Sequence, residues 1–98
     1  MEMYFISMIR GFDKYGTNGN RCVGYFETFQ EAEEAVINND CDIYEAGYYP
    51  YAVIEGVKPG LYAISEKSFW YQYNKETKKY EKIKFPEILS HFMGFTIG

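Results

Sequence analysis

Apolar side chains occupy both alternating sets of positions in the first segment of the chain, residues 3–9 (MYFISMI). A strand that is apolar on both sides is typical of the interior of a sheet, where both faces are covered. Glycines punctuate residues 11–20, and Asn18-Gly19 is a strong signal for a tight turn. Together with a second strand over residues 22–26, this pattern predicts an amino-terminal hairpin with a long loop.

A helix is predicted over residues 28–38. Thr28-Phe29-Gln30-Glu31 has the form of a capping box. In such a box the Thr28 hydroxyl accepts from the amide of Glu31, and the Glu31 carboxylate reaches back to the amide of Thr28. Apolar residues then recur at helical spacing as far as Val36, with Glu33 and Glu34 directed outward. The polar run Asn38-Asn39-Asp40 ends the pattern.

The rest of the chain predicts short strands and turns. The predicted strands are residues 49–57, 61–64, 69–74 and 79–85. Residues 42–46 are predicted as a short strand or an extended segment, and residues 91–97 as a candidate last strand. Residues 58–60 and 75–78 are turns, residues 86–90 form a turn or a single helical turn, and residues 79–85 alternate as an edge strand. The order ββα followed by four or five strands predicts a single α+β domain over residues 1–98. We expect a mainly antiparallel sheet with one amphipathic helix packed on one face.

The composition is that of a compact domain. Twenty of the 98 residues are aromatic, whereas disordered chains have few aromatic residues and a higher net charge than the −4 of this chain. No apolar run approaches the roughly 20 residues of a membrane span, and the amino terminus does not read as a secretory signal. We therefore expect a soluble, cytoplasmic protein without a membrane partner. Cys22 and Cys41 then stay reduced, and we expect both to be buried core residues.

Charge is distributed unevenly along the chain. Residues 1–57 carry ten acidic side chains against three basic ones, and residues 58–98 carry seven lysines against four acids. Seven of the acids lie between Glu27 and Glu45, a stretch with no lysine or arginine. Such a pattern affects association rather than fold, and neither half is basic enough to predict nucleic-acid binding.

Catalytic and metal sites are not predicted. The chain has one histidine, His91, without a nucleophile at a spacing that suggests a catalytic pair, and its two cysteines are far apart in sequence. Glu45 and Glu55 lie among aromatic residues and are candidate functional acids, but polar residues at strand ends are the simpler interpretation. We expect a protein that is not an enzyme and that holds no cofactor.

The glycine-rich loop is the first candidate for ligand binding. Arg10 and Arg21, the only arginines in the protein, flank it, and Asp13 lies within it. Backbone amides of a glycine-rich loop can hold an anion, and arginine suits bidentate contact with phosphate. A flexible hairpin loop with two solvated ends is the alternative interpretation.

Two aromatic clusters, residues 48–51 and 69–73, are the second candidate. The rings predicted to contact a ligand are those of Tyr49, Tyr51, Trp70, Tyr71 and Tyr73. Tyrosine and tryptophan offer stiff contact area with a polar tip, which suits base stacking and protein interfaces alike. Strand propensity alone is the alternative explanation for most of the tyrosines.

Several short motifs run through nearly the whole chain. They are Ile9-Arg10-Gly11-Phe12-Asp13, Gly24-Tyr25-Phe26, Thr28-Phe29, the Glu-Ala-Glu-Glu-Ala helix, Asp42-Ile43-Tyr44-Glu45, Tyr51-Ala52-Val53-Ile54-Glu55, Pro59-Gly60-Leu61-Tyr62 and Trp70-Tyr71. Together they resemble short uncharacterised proteins found in phages, prophages and other mobile elements of Gram-positive bacteria. The resemblance implies an inhibitor of bacterial immunity that sequesters a nucleotide signal or occludes a defence protein.

Three functions follow as hypotheses. The first is capture of a nucleotide-type immune signal, with the arginines on phosphate and aromatic rings on a base. The second is a protein–protein inhibitor that docks on a defence protein through an acidic or aromatic surface, with Glu31, Glu33 and Glu34 on the partner. The third is a structural accessory protein of a mobile element.

A homodimer or higher oligomer is a separate prediction. The first strand is apolar on both sides, while one helix covers only one face of a sheet. The second covering layer could come from residues 91–98 or from another subunit.

Overall fold

The computed structural model describes residues 2–61 and 67–89. Within them, one α-helix and a five-stranded antiparallel sheet form a small α+β domain, which confirms the predicted fold class. The strands are β1 (Met3–Ile9), β2 (Gly11–Asp13), β3 (Gly16–Asn18), β4 (Arg21–Phe26), β5 (Tyr51–Val57), β6 (Lys67–Asn74) and β7 (Lys79–Ile83), and the helix is α1 (Phe29–Ile37). The predicted strand at residues 91–97 and most of that at 61–64 lie outside the described residues.

The sheet has the strand order β4-β1-β5-β6-β7. Its central strand, β5, is buried from Ala52 to Val57, and β1 lies between β4 and β5, as its two-sided apolar pattern predicts. The lysine-bearing strand β7 is at an edge, as predicted. The long loop between β1 and β4 is not irregular, because β2 and β3 pair within it as a small hairpin of their own. The turn of this hairpin lies at Lys14-Tyr15. Asn18-Gly19, which was predicted to be a tight turn, instead forms the bend that joins β3 to β4.

The capping box at the start of α1 is confirmed in part. The Thr28 hydroxyl oxygen accepts from the amide of Glu31 at 3.2 Å, but the Glu31 carboxylate accepts from the Thr28 hydroxyl at 2.9 Å rather than from the Thr28 amide. α1 packs on one face of the sheet through the buried side chains Ala32, Ala35 and Val36.

Both faces of the sheet are covered. On the helix side, Ile6, Met8 and Ile54 join the buried helix residues in the larger core cluster. On the opposite side, Trp70 is buried with Ile9 and Val53, and Phe12 of the small hairpin packs on Trp70 with its ring centre 5.7 Å away. The β2–β3 hairpin therefore supplies part of the second covering layer, and oligomerisation stays a prediction.

The prediction of a short strand or extended segment at residues 42–46 is wrong. Two 3₁₀ turns, Asp40–Asp42 and Glu45–Gly47, occupy this part of the chain instead. Asn, Asp and Gly tolerate left-handed backbone better than other residues, and several residues in this segment adopt it. The segment therefore turns repeatedly and lies beside the sheet rather than in it.

Candidate functional site

The helix-exit segment, residues 38–48, has an unusual backbone. The non-glycine residues with left-handed φ of 51° to 57° are Asn39, Cys41, Asp42, Glu45 and Ala46. Such a conformation costs an ordinary L-residue about 1–2 kcal/mol, so it persists only where the surrounding structure imposes it. Five instances within eight residues mark this segment as a candidate for function.

Contacts within the segment and with the sheet hold this conformation. The Asn39 amide oxygen accepts from the backbone N–H of Tyr44 at 3.0 Å, and its amide nitrogen donates to the Asp42 carboxylate at 3.3 Å. The Tyr44 ring stacks on the Tyr73 ring of β6, with centres 3.6 Å apart and planes 11° apart. Tyr73 was predicted to contact a ligand, and the structure uses its ring to position the helix-exit segment.

The two arginines reach the same segment from the sheet side. The Arg21 guanidinium lies 3.7 Å from the Glu45 carboxylate, and the Arg10 guanidinium carbon lies 4.4 Å from the centre of the Tyr48 ring. Gly19 allows the path of Arg10, because its φ is +65° and a Cβ there would lie 2.6 Å from the Arg10 Cγ. Arg10 and Arg21 thus reach residues three positions apart in the helix-exit segment, and we call this pair the arginine edge. Asp13 is not part of it, because its carboxylate accepts from the Tyr15 amide at 2.8 Å in the hairpin turn.

A groove runs between β4 and the helix-exit segment. It consists of two adjoining cavities of about 620 and 190 Å³, which share Val23, Cys41 and Ile43. The larger cavity is its polar end, with Arg21, Asp42 and Glu45 among its lining residues. The smaller cavity is its apolar end, with Ile6, Phe26 and Ala35 in its lining. We call this feature the β4 groove.

A β-bulge shapes the wall of the β4 groove. Ile6 pairs with Gly24 and Ser7 pairs with Cys22, so Val23 is an extra residue in β4. Bulges redirect side chains and occur often beside functional sites. Sequence analysis missed Val23 and Gly24, although an isolated glycine within a strand is a known signal of a bulge.

Both cysteines are free and exposed, and both line the polar end of the groove. The prediction that they are buried core residues is wrong. Cys22 lies on an outer strand of the described sheet, and Cys41 lies in a left-handed turn outside the core, so neither position packs the thiol away from solvent.

The predicted aromatic surface is mostly interior. Trp70, Tyr71 and Tyr49 are buried, and Trp70 and Tyr71 belong to core clusters on opposite faces of the sheet because they are neighbours along β6. Tyr51 is half-buried and packs against Phe12, with ring centres 5.0 Å apart. These rings do not converge on the arginine edge, and the buried ones offer no face to a base.

Two buried tyrosines have strongly perturbed phenols. Burial, followed by a hydrogen bond and the negative charge of Glu33, raises the pKa of Tyr71 well above its ordinary value. Its hydroxyl donates to the Glu33 carboxylate at 2.6 Å. Burial also raises the pKa of Tyr80, whose hydroxyl donates to the Tyr49 carbonyl. Both groups are structural donors at neutral pH.

The three acids predicted to meet a partner differ in their roles. Glu33 is half-buried and accepts the Tyr71 bond, so it joins α1 to the sheet. Glu31 caps the helix but remains exposed, and Glu34 is exposed. The exposed carboxylates on α1 and its flanks are Glu27, Glu31, Glu34, Asp40 and Asp42, which we call the acidic surface.

Glu45 and Glu55, the other two acids considered as functional candidates, differ in burial. Glu55 is fully buried on the central strand, and Glu45 is exposed beside Arg21. Among residues 2–61 and 67–89, no three His, Cys, Asp or Glu side chains come together as a group that could hold a metal ion. His91 lies outside the described residues.

No protein-family model, curated protein or solved structure matches this chain. In the part of the chain that the structure describes, no helix is long and apolar enough to cross a bilayer. The β4 groove, the acidic surface and the arginine edge are the features of the described residues that could bind a ligand or a partner.

Proposed function

We propose that this protein is a non-enzymatic binding protein that occludes a basic surface of another protein through its acidic surface. One observation carries the proposal. Six of the seven acids between Glu27 and Glu45 are exposed, in a stretch of chain that contains no lysine or arginine. The acidic surface continues from α1 into the start of the helix-exit segment at Asp40 and Asp42, and the two arginines contact that segment only further along, at Glu45 and Tyr48.

Electrostatics gives this surface a defined role in binding. A surface of one sign steers an oppositely charged partner during encounter and discourages partners of like charge. Because the carboxylates are exposed, salt screens them over about 8 Å at physiological ionic strength, and we expect the association to weaken as salt rises. The resemblance to phage proteins makes a bacterial defence protein the first partner to test.

Charge reversal tests the proposal. Immobilised wild-type protein and the double variant Glu34→Lys/Asp40→Lys are incubated with extract of Gram-positive bacteria, and the retained proteins are quantified by mass spectrometry. The matched control, Glu76→Lys/Glu81→Lys, makes the same change in net charge on the β6–β7 hairpin. We expect a basic protein to be retained by wild type and control and to be depleted at least about tenfold with the Glu34/Asp40 variant. Equal retention by both double variants would remove the acidic surface as the binding site.

Capture of a nucleotide-type ligand at the arginine edge is the second candidate. It is favoured by the position of Arg10 and Arg21, which both reach the helix-exit segment from exposed positions. The ion pair of Arg21 with Glu45 is exposed and weak, so an anionic ligand could displace Glu45. The buried rings of Trp70 and Tyr71 weaken the case, because a base would have to stack on Tyr48 or another exposed ring.

Calorimetric titration distinguishes this second candidate. Cyclic nucleotides and ADP-ribose derivatives are titrated into wild type and into Arg10→Ala and Arg21→Ala. A nucleotide that binds wild type and loses about tenfold or more in affinity with either variant supports it. Absence of heat with every member of the panel, at protein well above micromolar concentration, rejects it.

A further inference from the structure

We infer that the apolar end of the β4 groove is an anchor pocket, which takes one apolar side chain from a lysine- or arginine-flanked segment of the partner. This inference rests on the proposed function and deepens it. The acidic surface attracts a basic partner, and the anchor pocket decides which basic segment is bound.

The size and lining of the pocket fit a single side chain. Its volume is about 190 Å³, and Ile6, Phe26 and Ala35 contribute apolar walls. An apolar cavity of about 150 Å³ accommodates a benzene molecule, so one leucine, methionine or phenylalanine side chain fits here. Gly24 keeps the pocket open, because a Cβ built there meets no heavy atom within 4 Å.

The rim of the pocket is exposed and apolar. Val23, the bulge residue, lines the cavity and is 37% exposed. An apolar pocket with an apolar rim is the usual form of an interface centre, where a buried anchor contributes most of the affinity. A partner side chain that enters the pocket covers Val23 as well.

Charge around the pocket identifies the flanking residues of the partner. Asp40 lines the apolar end, and Asp42 lines the adjoining polar end, where the one basic residue among the described lining residues, Arg21, already lies 3.7 Å from the Glu45 carboxylate. Lysine or arginine on either side of the anchor would therefore lie beside carboxylates, whereas acidic flanks would be repelled. A second copy of this chain is a poorer occupant, because its basic apolar segment around Phe85 already packs on its own Trp70, with ring centres 6.0 Å apart.

A labelled peptide tests the pocket. The probe has one central leucine, with serine and two lysines on each side, and a fluorescent label at one end. Two matched peptides replace the leucine by serine or the lysines by glutamate. Fluorescence anisotropy is expected to show that wild type binds the leucine peptide about tenfold or more tighter than the serine peptide, because burial of the leucine contributes affinity. The glutamate peptide is expected not to bind.

Filling the pocket provides the decisive variant. Gly24→Val places a branched side chain in the cavity at a strand position with free space, and it should abolish the preference for leucine while leaving the weak binding of the serine peptide unchanged. Gly24→Ala should reduce the preference in part. Gly11→Val is the matched control, because its Cβ meets only the Asn18 side chain at 3.5 Å or beyond, and it should keep the full preference.

The outcomes separate this inference from the proposed function. Equal binding of the leucine and serine peptides, or an unchanged preference with Gly24→Val, overturns the anchor pocket. Unchanged binding with Glu34→Lys/Asp40→Lys, with the leucine preference intact, overturns the acidic surface instead. A concentration-dependent increase in mass by light scattering that Gly24→Val removes would assign the pocket to a second copy of this chain, and it would overturn the choice of partner.

Discussion

At the scale of single residues, the hydroxyl of Tyr71 forms the most informative contact. It belongs to a buried side chain on β6 and donates to Glu33 on α1, so one hydrogen bond joins the helix to the sheet. A hydrogen bond to a charged acceptor contributes more than a neutral one, and its loss leaves a half-buried carboxylate without its donor. The pattern of the sequence placed Glu33 on the outer side of the helix and did not foresee this bond.

Tyr71→Phe is expected to lower the free energy of unfolding by about 1.5–3 kcal/mol, because Glu33 keeps its charge and loses its donor. Urea unfolding followed by circular dichroism measures the change. Tyr73→Phe is the control, since it keeps the ring that stacks on Tyr44, and we expect a loss below about 0.5 kcal/mol. A similar loss for both variants would mean that the bond to Glu33 contributes nothing specific.

At the scale of elements, the conformation of α1 follows from local sequence signals, whereas that of the helix-exit segment does not. α1 has a capping box, apolar spacing and a polar stop, all within a few residues of one another. Five non-glycine residues of the helix-exit segment have a left-handed backbone. Two of them, Cys41 and Ala46, have no intrinsic preference for that conformation. Hydrogen bonds of Asn39 within the segment hold its conformation, together with the stacking of Tyr44 on Tyr73, which lies far away in the sequence.

Ala46→Gly is expected to raise the free energy of unfolding by about 0.5–1 kcal/mol. Glycine removes the Cβ that opposes a φ of 54°, and this gain exceeds the extra chain entropy of glycine in the unfolded state. Ala35→Gly, in the middle of α1, should lower the same quantity by about 1 kcal/mol. Urea unfolding of both variants checks the opposite signs, and a loss of stability with Ala46→Gly would show that the left-handed backbone carries no strain.

At the scale of the whole molecule, stability in alkaline solution reports on the core. Tyr71 and Tyr80 have raised pKa values in the folded protein, mainly because they are buried, while their phenols ionise near pH 10 in the unfolded chain. Their contribution to stability is therefore complete below pH 10 and decreases as the pH rises further, since only the unfolded state then releases protons. The slope is about 1.4 kcal/mol per pH unit for each phenol that stays protonated in the fold.

Urea unfolding between pH 8 and 11 measures this dependence. Tyr71→Phe should reduce the slope above pH 10, because one ionising group is removed from the unfolded state. Tyr25→Phe, whose ring is largely exposed, should leave the slope as in wild type. An equal reduction by both variants would contradict the assignment of the effect to buried phenols.

Features that depend on near neighbours in the chain could be predicted from the sequence. The helix, the interior position of β1, the edge position of β7 and the α+β class all follow from periodicity, capping and charge, which act over a few residues. The left-handed turns at residues 39–46 could not be predicted, because Cys41, Glu45 and Ala46 have no local preference for them and the segment also depends on packing against the distant Tyr73. The exposure of Cys22 and Cys41 could not be predicted either. Composition shows that free cysteines are usually buried, but it does not show which positions the fold leaves outside the core.

From the sequence alone one can predict the helix, the main strands of the sheet, the acidic stretch between Glu27 and Glu45 and the placement of the two arginines at the ends of one loop. Which of these features lie together depends on the folded chain. Neighbouring residues of a strand point to opposite faces, so Trp70 and Tyr71 went into separate core clusters, while a single bulge residue turned β4 into the wall of a groove. Alternation specifies a side chain's face relative to its neighbours, whereas burial and convergence depend on contacts between segments that are far apart in the chain.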